Sequence, residues 1–169
     1  LKSFRGVLNS TTNMILTCLE QGKSFEQAVS YCQEIGIAET DPSGDIDGWD
    51  ASVKVAALVT VIMDHTLKPD QVDRTGIREI TPEAVFLARQ QGKRWKLVCS
   101  AERQGNDIRA AVRPELVSQE SPLFSAEGTT SVVQFESDVL GRLSITEENP
   151  GPMTTAYGNL ADFINAVTG

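Results

Sequence analysis

Five carboxylates and one lysine lie close together in the segment from Glu39 to Lys54. No lysine or arginine stands among the five acids, which fall within twelve positions and are Glu39, Asp41, Asp45, Asp47 and Asp50. Carboxylates at this density repel one another, so a folded protein accommodates them where they bind a cation, hold an ammonium group or stay hydrated. This acidic segment is therefore the first candidate for a functional site.

Asp50 and Lys54 are four residues apart, so on a helix they share one face. An ammonium held beside a carboxylate can give a proton to a developing alkoxide or hold a hydroxyl or carbonyl oxygen in place. Glu39 and Asp45 are then free to hold a substrate ammonium, which predicts a site for a small amino acid with an oxygen function at its far end. The same spacing also fits an ordinary surface ion pair at the start of a helix.

A metal site is the alternative use of the acidic segment. Asp45, Asp47 and Gly48 match the third, fifth and sixth positions of a calcium-binding loop, but Lys54 stands at the twelfth, where a bidentate carboxylate is required. His65 is the only histidine of the chain and has no cysteine near it, so nothing favours a transition metal. We predict no metal site.

The composition excludes two classes of partner. With 169 residues the chain is long enough for one domain with a sizeable core, and its net charge of -8 without a basic stripe argues against nucleic acid. The longest apolar run, 55–63, is too short to span a membrane. Cys18, Cys32 and Cys99 are odd in number and widely spaced, which predicts reduced structural thiols of a cytoplasmic protein. Because the chain begins at Leu1 without a methionine, we expect a fragment of a longer protein.

The first half of the chain predicts one strand followed by helices. Residues 1–8 alternate as a strand does, and the capping residues at 9–13 introduce a helix that ends at Gly22. Ser24 and Gln27 have the spacing of a capping box for a second helix. The acidic segment follows as a predicted loop.

The third predicted helix covers about 48–64, with Asp47 as its cap, and is apolar around most of its circumference, which is typical of a buried helix. Further helices are predicted at 82–91 and 154–167. Five further stretches are predicted as strands, at 76–80, 94–101, 107–113, 129–136 and 140–146. We therefore predict a single α+β domain over 1–169, with a mixed, mostly antiparallel sheet of about five strands covered by helices.

Three blocks of sequence carry a family resemblance. They are Gly-Val-Leu-Asn-Ser-Thr-Thr-Asn at 6–13, Gly-Ile-Ala-Glu-Thr-Asp-Pro at 36–42, and Asp-Ile-Asp-Gly-Trp-Asp at 45–50 followed by Lys54. In order and spacing they closely resemble homoserine dehydrogenase, and a weaker resemblance continues through 151–156 to the end. The resemblance implies NAD- or NADP-linked interconversion of L-homoserine and L-aspartate 4-semialdehyde, in the biosynthesis of threonine and methionine.

The resemblance also assigns roles to individual residues. Lys54 and Asp50 match the catalytic lysine–aspartate pair of the family, in which the lysine moves the proton on the substrate oxygen while hydride leaves for the nicotinamide. Glu39 and Asp45 match its substrate-binding carboxylates, and Thr11 matches a contact near the reacting end.

Two positions depart from the family pattern. Ser10, which belongs to the predicted substrate-binding set, stands where a glycine is common, so a Cβ atom enters a place where backbone approaches ligand. Ile37 stands where a tyrosine is frequent, so a hydroxyl contact is missing. We expect both to alter the shape of the pocket and not the class of reaction.

The nucleotide-binding half of the family is not recognisable here. A dinucleotide site needs a glycine-rich turn, and no Gly-x-Gly occurs in the sequence. We therefore expect a substrate-binding and dimerisation domain that forms a homodimer through its sheet, binds NAD or NADP mainly through a missing domain, and gives no turnover alone. A degenerate amino-acid-binding or dimerisation module, and a related NAD(P)-dependent dehydrogenase of another small amino acid, remain as alternatives.

Overall fold

The computed structural model describes residues 1–168, which fold into an α+β arrangement around a six-stranded sheet. The order across the sheet is β2-β4-β3-β1-β5-β6. Its strands are β1 (Ser3–Val7), β2 (Asp73–Arg74), β3 (Lys93–Gln104), β4 (Asp107–Ser118), β5 (Ser131–Glu136) and β6 (Arg142–Glu147). All neighbours are antiparallel except β2 and β4. The predicted mixed, mostly antiparallel sheet is confirmed, with six strands where about five were expected.

In the described part of the chain, six α-helices accompany the sheet, and local capping explains where several of them begin. They are α1 (Ser10–Glu20), α2 (Phe25–Glu34), α3 (Ser43–Ile46), α4 (Trp49–Ile62), α5 (Pro82–Gln90) and α6 (Pro152–Thr168). The capping box of Ser24 and Gln27 is present at α2, and Thr81 caps α5 with Pro82 in its first turn. Within residues 1–168, no helix has the combination of length and apolar character that a bilayer crossing requires.

Side chains alternate between two faces of the sheet, and this alternation places the core. Leu97 and Cys99 of β3 face the helices and join the main core with α1 and α4. Val98, between them, belongs to a smaller cluster on the opposite face, which the turn Pro122–Ser125 covers. The rest of that opposite face carries polar side chains such as Arg5.

Three predictions made for the acidic segment and the following helix were wrong. A short helix, α3, interrupts the predicted loop. Asp47 does not cap α4: Gly48, at φ +81°, takes the cap position, while the carboxylate of Asp47 pairs with Arg78 at 2.8 Å. Nor is α4 buried all round, because Val53 and Val61 are exposed.

The predicted strand at 76–80 is absent from the described chain. Ile77 and Ile80 are buried as their apolar character suggests, but the backbone turns between them, with Ile80 N–H donating to the Ile77 carbonyl. Both side chains therefore reach the core from a turn, and the two-residue strand β2 provides the only sheet pairing of this region in residues 1–168.

Candidate active site

The predicted pair of Lys54 and Asp50 is formed in the first turns of α4. Lys54 Nζ lies 2.8 Å from Asp50 Oδ2 and also donates to the carbonyl of Leu8 at 2.9 Å. The two side chains are 46% and 41% exposed. An ammonium has three N–H donors. The Leu8 carbonyl takes one and Asp50 lies at ion-pair distance, so at least one donor of Lys54 is available to a ligand oxygen.

Asn9 connects this pair to a second carboxylate. Its side chain is only 4% exposed, and its Oδ1 caps α1 by accepting from the backbone N–H of Thr12 at 2.8 Å. That bond fixes which end of the amide carries the N–H donors. The amide then donates to Asp45 Oδ1 at 2.6 Å and to Asp50 Oδ2 at 2.9 Å. Hydrogen bonds therefore join Asp45, Asn9 and Asp50 into one network, and an ion pair joins Asp50 to Lys54.

Sequence reasoning missed this role of Asn9. It predicted only that residues 9–13 cap a helix. The usable signal was the residue type of the cap. An asparagine keeps two N–H donors after its oxygen has capped the helix, whereas a serine or threonine has only one hydroxyl hydrogen, which can rotate. The partners, 36 and 41 residues away, could not be read from local spacing.

Two arginines from outside the acidic segment bind it. The Arg74 guanidinium stacks 3.8 Å above the ring of Trp49 and donates to the backbone carbonyl of Asp47. Arg78 binds the Asp47 carboxylate at 2.8 Å. No lysine or arginine stands among the five acids themselves, but the fold supplies two cations, Arg74 from β2 and Arg78 from the turn after it.

The remaining predicted site residues differ in how close they come to the network formed by Asp45, Asn9, Asp50 and Lys54. Thr11 is buried and its hydroxyl donates to the carbonyl of Ile37 at 2.9 Å, so it fixes the backbone at Ile37. Ser10 donates to the carbonyl of Thr129 at 3.2 Å. Glu39 is exposed, and in the described residues its carboxylate makes no hydrogen bond or ion pair. The structure therefore does not bring Glu39 into the network around Asn9.

A cleft of about 660 Å³ adjoins Lys54. Among the residues that line it are Leu8, Ser10, Ile37, Lys54, Thr129 and Glu147. Its volume is in the range of small-molecule sites. The free donor of Lys54 thus has room beside it for a substrate.

Cys99 lies beneath the site, against the backbone of Leu8. Burial raises the pKa of this thiol to about 12, although the nearby Lys54 acts in the opposite direction. The thiol is therefore protonated at neutral pH and packs as a small apolar side chain.

Comparisons with known proteins agree on one family. A model of the homoserine dehydrogenase family matches residues 1–164. The NAD(+)-dependent homoserine dehydrogenase of Pseudomonas canavaninivorans is 36% identical over 166 residues, covering 98% of this chain and 47% of the relative. Homoserine dehydrogenase of Methanocaldococcus jannaschii is 42% identical over 164 residues, with 96% and 47% covered. The chain spans about half the length of these curated relatives.

Solved structures give the same result for the fold. A crystal structure of S. aureus homoserine dehydrogenase superposes with a TM-score of 0.89 at 27% identity, covering 99% of this chain and 42% of that one. The structure from Thiobacillus denitrificans has a TM-score of 0.88 at 29% identity, with 96% and 38% covered.

Proposed function

This chain belongs to the homoserine dehydrogenase family, and from that premise we propose that it is the substrate-binding catalytic domain of an enzyme that interconverts L-homoserine and L-aspartate 4-semialdehyde. The observation that supports this most directly is the pair of Lys54 and Asp50 beside a cleft, with one N–H of the lysine free. Such a donor is what a developing alkoxide needs during reduction of an aldehyde.

We propose that Lys54 handles the proton of the reacting oxygen. In the direction of reduction its ammonium donates to the oxygen of the semialdehyde as the carbonyl becomes an alcohol. Asp50 and the Leu8 carbonyl fix the ammonium, so that the free N–H points in one direction. Asn9 keeps Asp50 in place from the buried side.

The substrate ammonium requires carboxylates at the other end of the site. Asp45 gives one oxygen to Asn9 and retains the second, and Glu39 is exposed on the same segment. We propose that these two acids hold the α-ammonium. Thr11 fixes the backbone of Ile37, and Ser10 lines the cleft, so both shape the substrate pocket.

The nicotinamide of NAD or NADP supplies or takes up the hydride when it is bound. The cleft beside Lys54 is large enough for a ring, but the chain contains no glycine-rich turn for a pyrophosphate. We therefore propose that the dinucleotide is held mainly by a nucleotide-binding domain outside these 169 residues, and that residues 1–169 alone give no turnover. Measurable turnover by the isolated chain would contradict this.

We also propose a homodimer formed through the polar face of the sheet, in the cytoplasm. That face carries charged side chains of both signs, among them Arg5 paired with Glu115 at 2.7 Å, and both are about half exposed. Charges of both signs allow two copies of one surface to complement each other. The three cysteines are unpaired thiols, which fits a reducing compartment. Sedimentation equilibrium should give twice the mass of the chain, and a monomer at micromolar concentration would contradict the proposed dimer.

The reaction is tested with the full-length protein encoded by the gene. NADH and NADPH formation from L-homoserine is followed for the wild type, for Lys54→Ala and for Lys68→Ala, an exposed lysine after the end of α4. We expect turnover in the wild type, a kcat lower by at least about two orders of magnitude in Lys54→Ala, and no change in Lys68→Ala.

Each other outcome has a defined meaning. Unchanged turnover in Lys54→Ala would assign the proton transfer to another group. A folded wild type that binds cofactor but does not oxidise homoserine would contradict the proposed substrate, and oxidation of another small amino acid would then identify a related dehydrogenase.

A further inference from the structure

Lys96 is a buried lysine that the proposed reaction does not use. It lies on β3, its side chain is 1% exposed, and burial lowers its pKa to about 8. Glu20 and Glu127 act against this lowering, whereas Arg94 adds to it. Burying an ammonium here carries a desolvation cost that methionine would avoid. The contacts that it makes must therefore offset this cost.

The ammonium of Lys96 contacts two groups outside its strand. Nζ donates to Asn13 Oδ1 at 2.9 Å and to the carbonyl of Ala126. Because Lys96 occupies the oxygen of the Asn13 amide, the N–H donors of that amide point away from β3. They reach the carbonyls of Gly128 at 3.0 Å and Thr130 at 3.3 Å.

Two hydroxyls of α1 complete the contacts to the same stretch of chain. Thr17 donates to the carbonyl of Asn13 at 2.8 Å and accepts from the N–H of Gly128 at 3.2 Å. Ser10 donates to the carbonyl of Thr129 at 3.2 Å. Four of the five carbonyls in 126–130 are thus held by side chains, although this stretch belongs to neither a helix nor a strand.

The segment 126–130 forms one side of the cleft, because Thr129 lines it together with Ser10 and Lys54. We infer that Lys96 is a positioning residue that, through Asn13, fixes 126–130 as a wall of the substrate cleft. This inference rests on the proposed function for its kinetic consequence, but its structural part does not. Lys54 and Asp50 lie on α4 and have no bond to this wall, so loosening the wall should weaken binding more than the proton transfer.

The test uses the full-length protein with three variants. Lys96→Met removes the ammonium at similar length, and Thr17→Val keeps the shape of the side chain while it removes the acceptor for Gly128. Arg103→Met is the control, because it removes a bond from a cation on the same strand to a carbonyl, that of Met63, away from the cleft. Amide hydrogen exchange and the kinetics of homoserine oxidation are measured for all three.

In Lys96→Met and Thr17→Val we expect the amides of 128–130 to exchange at least about tenfold faster while those of β3 and β4 keep their rates. The KM for homoserine should rise about tenfold with kcat within about threefold of the wild type, and Arg103→Met should show neither change. Unchanged exchange at 128–130, or an increase spread evenly over β3 and β4, would overturn the inference.

Two further outcomes are also decisive. If Lys96→Met does not fold, Asn13→Ala, which removes the amide that joins Lys96 to Gly128 and Thr130, decides by the same exchange criterion. If the wild type fails to oxidise homoserine, the proposed function fails, and the exchange of 128–130 still decides whether Lys96 and Thr17 position this segment.

Discussion

A methyl group at position 76 would collide with the backbone of the acidic segment. The Cβ atom of an alanine there would lie 2.1 Å from the carbonyl oxygen of Ile46 and 2.6 Å from Cα of Asp47. Ordinary contacts of a Cβ atom begin at about 3.4 Å. Gly76→Ala therefore forces the segment around position 76 and the backbone at Ile46 and Asp47 apart by more than about 1 Å.

The displacement would reach the site because a hydrogen bond joins these two segments beside Gly76. Ile77 N–H donates to the Ile46 carbonyl at 2.9 Å, and the preceding residue, Asp45, accepts from Asn9 at 2.6 Å. A shift of 1 Å is enough to break both hydrogen bonds. Overpacking of this kind costs about 1–3 kcal/mol of unfolding free energy. A misplacement of 1 Å in a catalytic site costs about 10²-fold in rate.

The assay compares Gly76→Ala with Gly44→Ala in the full-length protein. Gly44 lies in α3, two residues before Ile46, and a Cβ atom there has no neighbour within 4 Å. We expect Gly44→Ala to retain kcat/KM and to keep or slightly raise the unfolding free energy, since alanine favours a helix by about 0.5–1 kcal/mol. Gly76→Ala should lose about 2 kcal/mol in urea unfolding and about two orders of magnitude in kcat/KM. Wild-type values for Gly76→Ala would refute the argument, as would equal losses in Gly44→Ala.

Three further predictions follow from buried groups. Asn9→Ala should lose about 1–2 kcal/mol in urea unfolding and at least about tenfold in kcat/KM, whereas Asn9→Asp should keep the helix cap but not the activity; full activity in both would contradict the bridging role. Burial raises the pKa of Cys32 and of Cys99 to about 12, so an aromatic disulfide reagent at pH 8 should label them only after denaturation, and rapid native labelling would contradict this. Burial lowers the pKa of Lys96 from 10.5 to about 8, and the unfolded chain therefore binds more protons between these values. The unfolding free energy of the wild type should rise across this interval by up to about 3 kcal/mol relative to Lys96→Met, and parallel pH curves would contradict it.

Local patterns in the sequence predicted the elements and the central pair well. The capping box at Ser24 depends on residues three apart, and the contact between Asp50 and Lys54 depends on residues four apart, so both follow from helix geometry alone. The antiparallel β3–β4 hairpin likewise follows from two alternating stretches joined at Gly105, whose φ of +65° suits a tight turn. These predictions were confirmed because the contacts that decide them are local.

The failures share the opposite property. Asp47 has the residue type of a helix cap, but Arg78, thirty-one residues later in the chain, binds its carboxylate and leaves Gly48 at the cap position. The stretch around Ile77 has the apolar residues of a strand, but its N–H pairs with the acidic segment instead of a neighbouring strand. In both cases a contact between distant parts of the chain overrode the local preference.

The distribution of partners among the acids indicates where a cation would bind. Asp47 is neutralised by Arg78, and Asp50 by Lys54. Asp45 has only the neutral amide of Asn9 as its partner in the described residues, so its negative charge is not compensated by a cation. A substrate ammonium placed against Asp45 would complete a row in which each of these three acids faces one cation, with the far end of the substrate toward Lys54. If Asp45 holds the substrate ammonium as proposed, Asp45→Asn should raise the KM for homoserine by at least about tenfold while kcat changes less, because the lost ion pair would contribute equally to the ground state and the transition state.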